Sequence, residues 1–259
     1  MLELSDAQIG GWIASFLLPL FRIGALLMVM PVIGTALVPM RVRLFLTLAI
    51  TLALVPVLPP SPDFDALSLR GLTLIAEEVL IGAIMGFSLQ LFFHLFVVAG
   101  QIIATQMGLG FASMMDPANG ISVPVIGQFL TMLTTLLFFA MNGHLVVFEV
   151  LTESFTTLPS GGGGLLTSQF WLLANRLGWV MGAGLLLALP AITALLVINI
   201  AFGLMTRAAP QLNIFSIGFP MTLVMGMIIF WIGMADVLSQ YQRFSSEALI
   251  WLGELVRAR

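Results

Sequence analysis

The chain has 259 residues, of which 60% are hydrophobic and only 8% charged, where an ordinary soluble domain carries about 25% charged residues. Twelve acids against nine bases, all of them arginine, give a net charge of −3, and there is no lysine or cysteine. With a mean hydropathy of +1.13, this balance excludes a soluble enzyme, a disordered chain, a disulfide-stapled secreted domain and a thiolate metal centre. It also lacks the basic footprint of a nucleic-acid binder, which leaves an integral membrane protein or a subunit buried in a large apolar assembly.

A helix needs about 20 mostly apolar residues to cross hydrocarbon. Six blocks meet or approach that length, at 12–33, 44–58, 72–107, 123–151, 171–205 and 212–238, followed by a short amphipathic tail at 239–259. Pro56, Pro59, Pro60 and Pro62, with Asp63 and Asp65, end the second block. Residues 108–120 separate the third from the fourth. The Pro159-Ser160-Gly161-Gly162-Gly163-Gly164 run reads as a flexible linker and as the internal boundary. Pro210 punctuates the gap between the last two blocks. Glu3 and Asp6 stand where a cleavable leader would carry bases, so the first block is expected to be retained. Six spans put Arg41, Arg43 and Arg207 on one side and Arg70, Arg243, Arg257 and Arg259 on the other, which leaves orientation open.

Ionisable groups inside apolar blocks are costly and face a protein interior or a wet cavity. Arg22, Glu77, Glu78, His94, Glu149, Arg176 and Asp236 are such groups. One reading pairs them with each other or with partner subunits; the other makes them an ion or proton relay. Gln90, His94, Gln101 and Thr105 fall within about 60° of one another at 100° per residue. That polar stripe is built to face a lumen or another helix. Gly82 with Gly86, and Gly178 with Gly182, have the spacing that lets helix backbones approach closely.

Sequence signatures of catalysis are missing. There is no H-E-x-x-H, no G-x-S-x-G, no P-loop lysine and no third glycine after Gly108-Leu-Gly110. The 108–120 segment is unusual, because it is bendable yet carries Leu109, Phe111, Met114 and Met115. Apolar, irregular backbone belongs inside protein or beside a cavity. Soft methionine side chains suit either a deformable pore seal or plain packing.

The stretches Ala99-Gly-Gln-Ile-Ile-Ala-Thr-Gln-Met-Gly108, Asp116-Pro117, Gly143-His144 and Arg207-Ala-Ala-Pro-Gln-Leu-Asn-Ile-Phe-Ser-Ile-Gly-Phe-Pro220 resemble the signatures of the FliR family of type III secretion export-gate proteins. The resemblance covers nearly the whole chain. It implies an all-α, hydrophobic helical-hairpin protein, polytopic by sequence, whose helices pack into a heteromeric ring-like assembly. It implies a FliP-like part at 1–159, a Gly-rich linker at 160–170 and a FliQ-like hairpin with an amphipathic tail at 171–259. The implied partners are FliP-like and FliQ-like subunits, FlhB-like and FlhA-like export components, and unfolded flagellar proteins as cargo. The implied place is the bacterial inner membrane, at the flagellar basal body; no cofactor, metal or nucleic acid is expected.

The resemblance also maps a plug loop to about 106–122, with Phe111, Met114 and Met115 as sealing contacts and Asp116 and Pro117 setting the turn. Arg22, Glu77, Glu78, Arg176 and Asp236 are read as buried charges for subunit pairing. Gln90, His94, Gln101 and Thr105 are the pore- or interface-facing stripe. Arg207, Pro210, Gln211 and Asn213 are read as shaping a helical hairpin. The expected function is a structural and gating subunit of an export gate, not an enzyme. The alternatives are a secondary transporter using an intramembrane carboxylate–histidine site and a membrane-embedded enzyme assembled from distant helices.

Overall fold

The computed structural model describes residues 6–60, 62, 68–109, 125–162, 165, 167–208 and 214–257, with backbone alone for 6–14 and 214–217. Among the described residues there are helices, turns and bends and no strand. In chain order these are α1 (Asp6–Val29), α2 (Met40–Leu54) running into a 3-10 turn Val55–Val57, α3 (Leu69–Gln106), α4 (Val125–Ala140), α5 (Gly143–Thr157), α6 (Thr167–Ala208), α7 (Ile214–Gly233), a 3-10 turn Met234–Asp236, and α8 (Val237–Arg257). Among the described residues, four helical segments are long and apolar enough to cross a membrane, five if the bent α4–α5 pair counts as one span.

The first apolar block ends earlier than its composition suggests. Pro31 disfavours helical backbone at Met30, and α1 stops at Val29. Arg43 then ties down the α1–α2 turn, its guanidinium donating to the Thr35 and Val38 carbonyls at 2.7–3.0 Å. The fourth block is a correction. It is not one helix but two, bent by 68°. Asn142 takes a left-handed backbone at φ 60° between them, a conformation asparagine tolerates better than most residues. The tail is helical as far as Arg257 and continues α7 through the Met234–Asp236 turn.

Helix α3 ends in a full Schellman motif. Gly108 adopts φ +86°, Leu109 N–H donates to the Ala104 carbonyl, and Gly108 N–H to that of Thr105. Glycine at this position avoids the Cβ clash of left-handed backbone.

Packing divides the chain into two compact units. One draws on Met1–Leu91, Met141–Arg176 and Glu247–Arg259, the other on Phe92–Ala140 and Leu177–Ser246. Each therefore takes segments from both sides of the glycine run. In the first, α1 lies against α2 and α3. A Cβ on Gly82 would overlap the Arg22 carbonyl, and one on Gly86 would lie 2.8 Å from that of Leu26. In the second, edge-to-face rings join Phe92 to Phe96 and Tyr241, and Phe93 to Phe138. There α3 and α4 touch backbone to backbone at Gly100 and Gly127.

Candidate functional site

The most constrained polar cluster sits in the first unit, around Arg22. This side chain lies on α1 and has no exposed surface. Its Nε donates to Glu78 Oε2 at 2.6 Å and its Nη2 to Glu78 Oε1 at 2.9 Å, a bidentate fork between α1 and α3. Nη1 donates to the Ser154 carbonyl at 2.8 Å and to Ser154 Oγ at 3.1 Å. Nη2 also donates to the Leu158 carbonyl at 2.8 Å. All five guanidinium N–H groups are thus used, which matches the donor inventory of arginine. The guanidinium carbon also lies 4.2 Å from the Phe155 ring centroid.

This cluster closes the end of α5. The last carbonyls of a helix lack intrahelical partners and carry partial negative charge, and Arg22 supplies both the donors and the opposite sign. Glu78 Oε1 accepts a further bond from Ser160 Oγ at 2.7 Å, so the start of the glycine run is tied to the same pair. Such a pair is rigid once formed, because removing either partner leaves a buried, uncompensated charge.

Two of the five charges read as subunit-pairing groups, Arg22 and Glu78, are therefore satisfied inside the chain. Glu77 is half-buried beside them. Arg176 is partly exposed, 3.9 Å from Glu254 and stacked 5.0 Å from the Trp251 ring. Asp236 is exposed in the turn between α7 and α8. The polar stripe of α3 turns outward: His94, Gln101 and Thr105 are exposed and Gln90 half-buried, while Leu89, Phe92, Phe96, Ala99 and Ile103 form the covered face. Arg207 is exposed in the last turn of α6. Phe111, Met114, Met115, Asp116 and Pro117, and likewise Pro210, Gln211 and Asn213, lie outside the described residues. Among the described residues no group of three histidines and acids is placed to hold a metal ion.

Sequence reasoning missed Ser154, Phe155, Leu158 and Ser160, none of which carries a charge or a motif. It also missed the Glu153–Arg257 pair, joined by bonds of 2.7 and 2.9 Å, and the buried Gln169, whose amide donates to the Leu255 carbonyl at 2.9 Å.

The two glycine pairs differ in use. Gly82 and Gly86 meet α1 directly, whereas a Cβ on Gly178 or Gly182 would have nothing within 4 Å. The latter pair lies on a face of α6 with exposed Leu177, Met181, Leu185 and Leu189. About two-thirds of the apolar window of α3 is buried by its own chain, against 17% for α6.

An all-helical chain with long apolar helices, a buried charge clasp and broad bare apolar faces is a polytopic helical membrane protein. Residues 13–248 match bacterial export proteins, family 1, and the chain belongs to that family. It is 42% identical over 226 residues to flagellar biosynthetic protein FliR of Escherichia coli (strain K12), covering 87% of this chain and 86% of the relative. It is 40% identical over 230 residues to the FliR protein of Pectobacterium carotovorum subsp. carotovorum, covering 88% and 87%. Identity to the FliR protein of Aquifex aeolicus (strain VF5) is 29% over 218 residues, 84% of each chain.

Proposed function

We propose that this chain is a non-enzymatic structural and gating subunit of the flagellar type III export gate, forming part of the pore for unfolded flagellar proteins with FliP-like and FliQ-like subunits in the bacterial inner membrane. FlhB-like and FlhA-like components complete its surroundings. Residues 1–159 form the FliP-like part, 160–170 the linker and 171–259 the FliQ-like hairpin. Family membership supports the export role, and one observation about α6 supports the need for partners.

Large apolar side chains are exposed along α6 from Phe170 to Met205. At 1.5 Å per residue that face is about 53 Å long. The hydrocarbon core of a bilayer is about 30 Å thick. Fitting the whole face into it needs a tilt of roughly 55°, beyond the usual 0–40°. Lipid alone does not cover such a face, and water does so at a hydrophobic cost. Other apolar helices are the natural cover. The outward polar stripe of α3 supplies the contrasting surface, suited to a wet lumen or a polar subunit contact.

Native mass spectrometry tests this reading. The detergent-extracted chain, co-expressed with FliP-like and FliQ-like neighbours, is expected in one heteromeric mass containing a single copy of it. A well-behaved monomer that ignores those neighbours supports the transporter reading instead, with Glu77 and His94 as residues to replace. The plug is tested separately. Deleting residues 111–115 is expected to leave assembly intact and make the pore leak ions; unchanged conductance removes the plug assignment.

A further inference from the structure

We infer that the second unit holds a binding site for an amine-bearing phospholipid, phosphatidylethanolamine in particular. A cavity of about 410 Å³ lies there between α3, α4, α6, α7 and α8. Its walls include Leu130, Ala191 and Phe230, and Ile232 stands at its edge with 63% of its surface exposed. Asp236 and Gln240 also line it, and no basic residue does. The volume lies within the roughly 300–1,000 Å³ of ordinary ligand sites, as does the pattern of apolar walls with a few convergent polar groups.

A flexible hydrocarbon chain can follow such an irregular apolar lining without the fixed cross-section that a helix needs. Exposed Leu186 and Ile232 carry the lining out to the apolar surface.

Charge selects the headgroup. Asp236 forms no ion pair among the described residues. Asp236 and Gln240 are four residues apart on nearly continuous helical backbone, so they lie on one face. The carboxylate suits a protonated amine, and the Gln240 amide can donate to a phosphate ester oxygen. An anionic headgroup would meet the carboxylate as a like charge.

The test uses the full-length chain, delipidated in detergent and given dioleoyl-phosphatidylethanolamine or dioleoyl-phosphatidylglycerol at equal mole fraction. Native mass spectrometry counts the retained lipid. The expected result is at least fivefold more phosphatidylethanolamine adduct than phosphatidylglycerol adduct. Ala191→Phe fills the cavity and is expected to lower that adduct at least fivefold. Gly233→Leu does the same from a lining position with ordinary helical φ and open space at its Cβ, and decides the matter if Ala191→Phe fails to fold. Asp236→Asn is expected to abolish the headgroup preference while total lipid retention stays within twofold. Equal retention of the two lipids by the unaltered chain overturns the headgroup assignment. Unchanged retention in a folded cavity-filled variant overturns the site. So does absence of the lipid from the mildly extracted native complex, which would mean that a partner chain closes the cavity.

Discussion

At the scale of single residues, Arg22 ties together three elements of the first unit. Its five bonds join α1, α3 and the end of α5. Arg22→Ala strips the counter-charge from a buried Glu78 and is expected to destabilise the chain by about 3–5 kcal/mol. Arg22→Met combined with Glu78→Leu is expected to restore most of that loss, because two apolar groups leave no bare charge. Thermal melts of the purified chain, followed by circular dichroism, check both; a single variant no less stable than the double would refute the clasp. The sequence marks Arg22 and Glu78 as opposite charges in apolar blocks, and pairing is their ordinary fate. Their choice of each other is not legible, since 56 residues separate them and Arg176 and Glu77 are equally plausible on composition. The carbonyls of Ser154 and Leu158 are less legible still, because any helix end offers such acceptors.

At the scale of elements, the contrast between the two glycine pairs makes a paired prediction. Gly82→Ala places a methyl group against the Arg22 carbonyl and is expected to cost about 1–3 kcal/mol by overpacking. Gly178→Ala meets open space and is expected to stabilise the isolated chain by up to about 1 kcal/mol through helix propensity. Melts of the two variants in the same detergent separate them; equal shifts would contradict the assignment of the first pair to α1. Sequence spacing alone cannot tell these pairs apart, since both read G-x-x-x-G. Element ends were readable where proline or glycine changes the backbone, as at Pro56 and Gly108; the end before Pro31 was overrun because apolar residues continue to Ile33. The break inside the fourth block was hidden because apolar residues run on both sides of Met141-Asn142-Gly143. Only the Asn-Gly step marks it, and that step also occurs in ordinary loops. The outward stripe of α3 was legible because polarity at helical spacing fixes a face. What it faces is a property of neighbours, which one chain does not encode.

At the scale of the whole molecule, the described residues combine a buried charge clasp in the first unit with many exposed large apolar side chains. The mass measurement and the 111–115 deletion described above belong to this scale, since both read the assembled gate rather than a fold. The clasp also has a consequence for biosynthesis. Arg22 leaves the ribosome 56 residues ahead of Glu78 and 132 ahead of Ser154. At about 5–20 residues per second, the counter-charge follows by roughly 3–11 s, and the carbonyl acceptors by roughly 7–26 s. Throughout that interval the Arg22 guanidinium on the apolar α1 lacks its counter-charge, and an unpaired charge in apolar surroundings is costly. Helix α1 is therefore expected to settle into its final place only after α3 arrives to neutralise it.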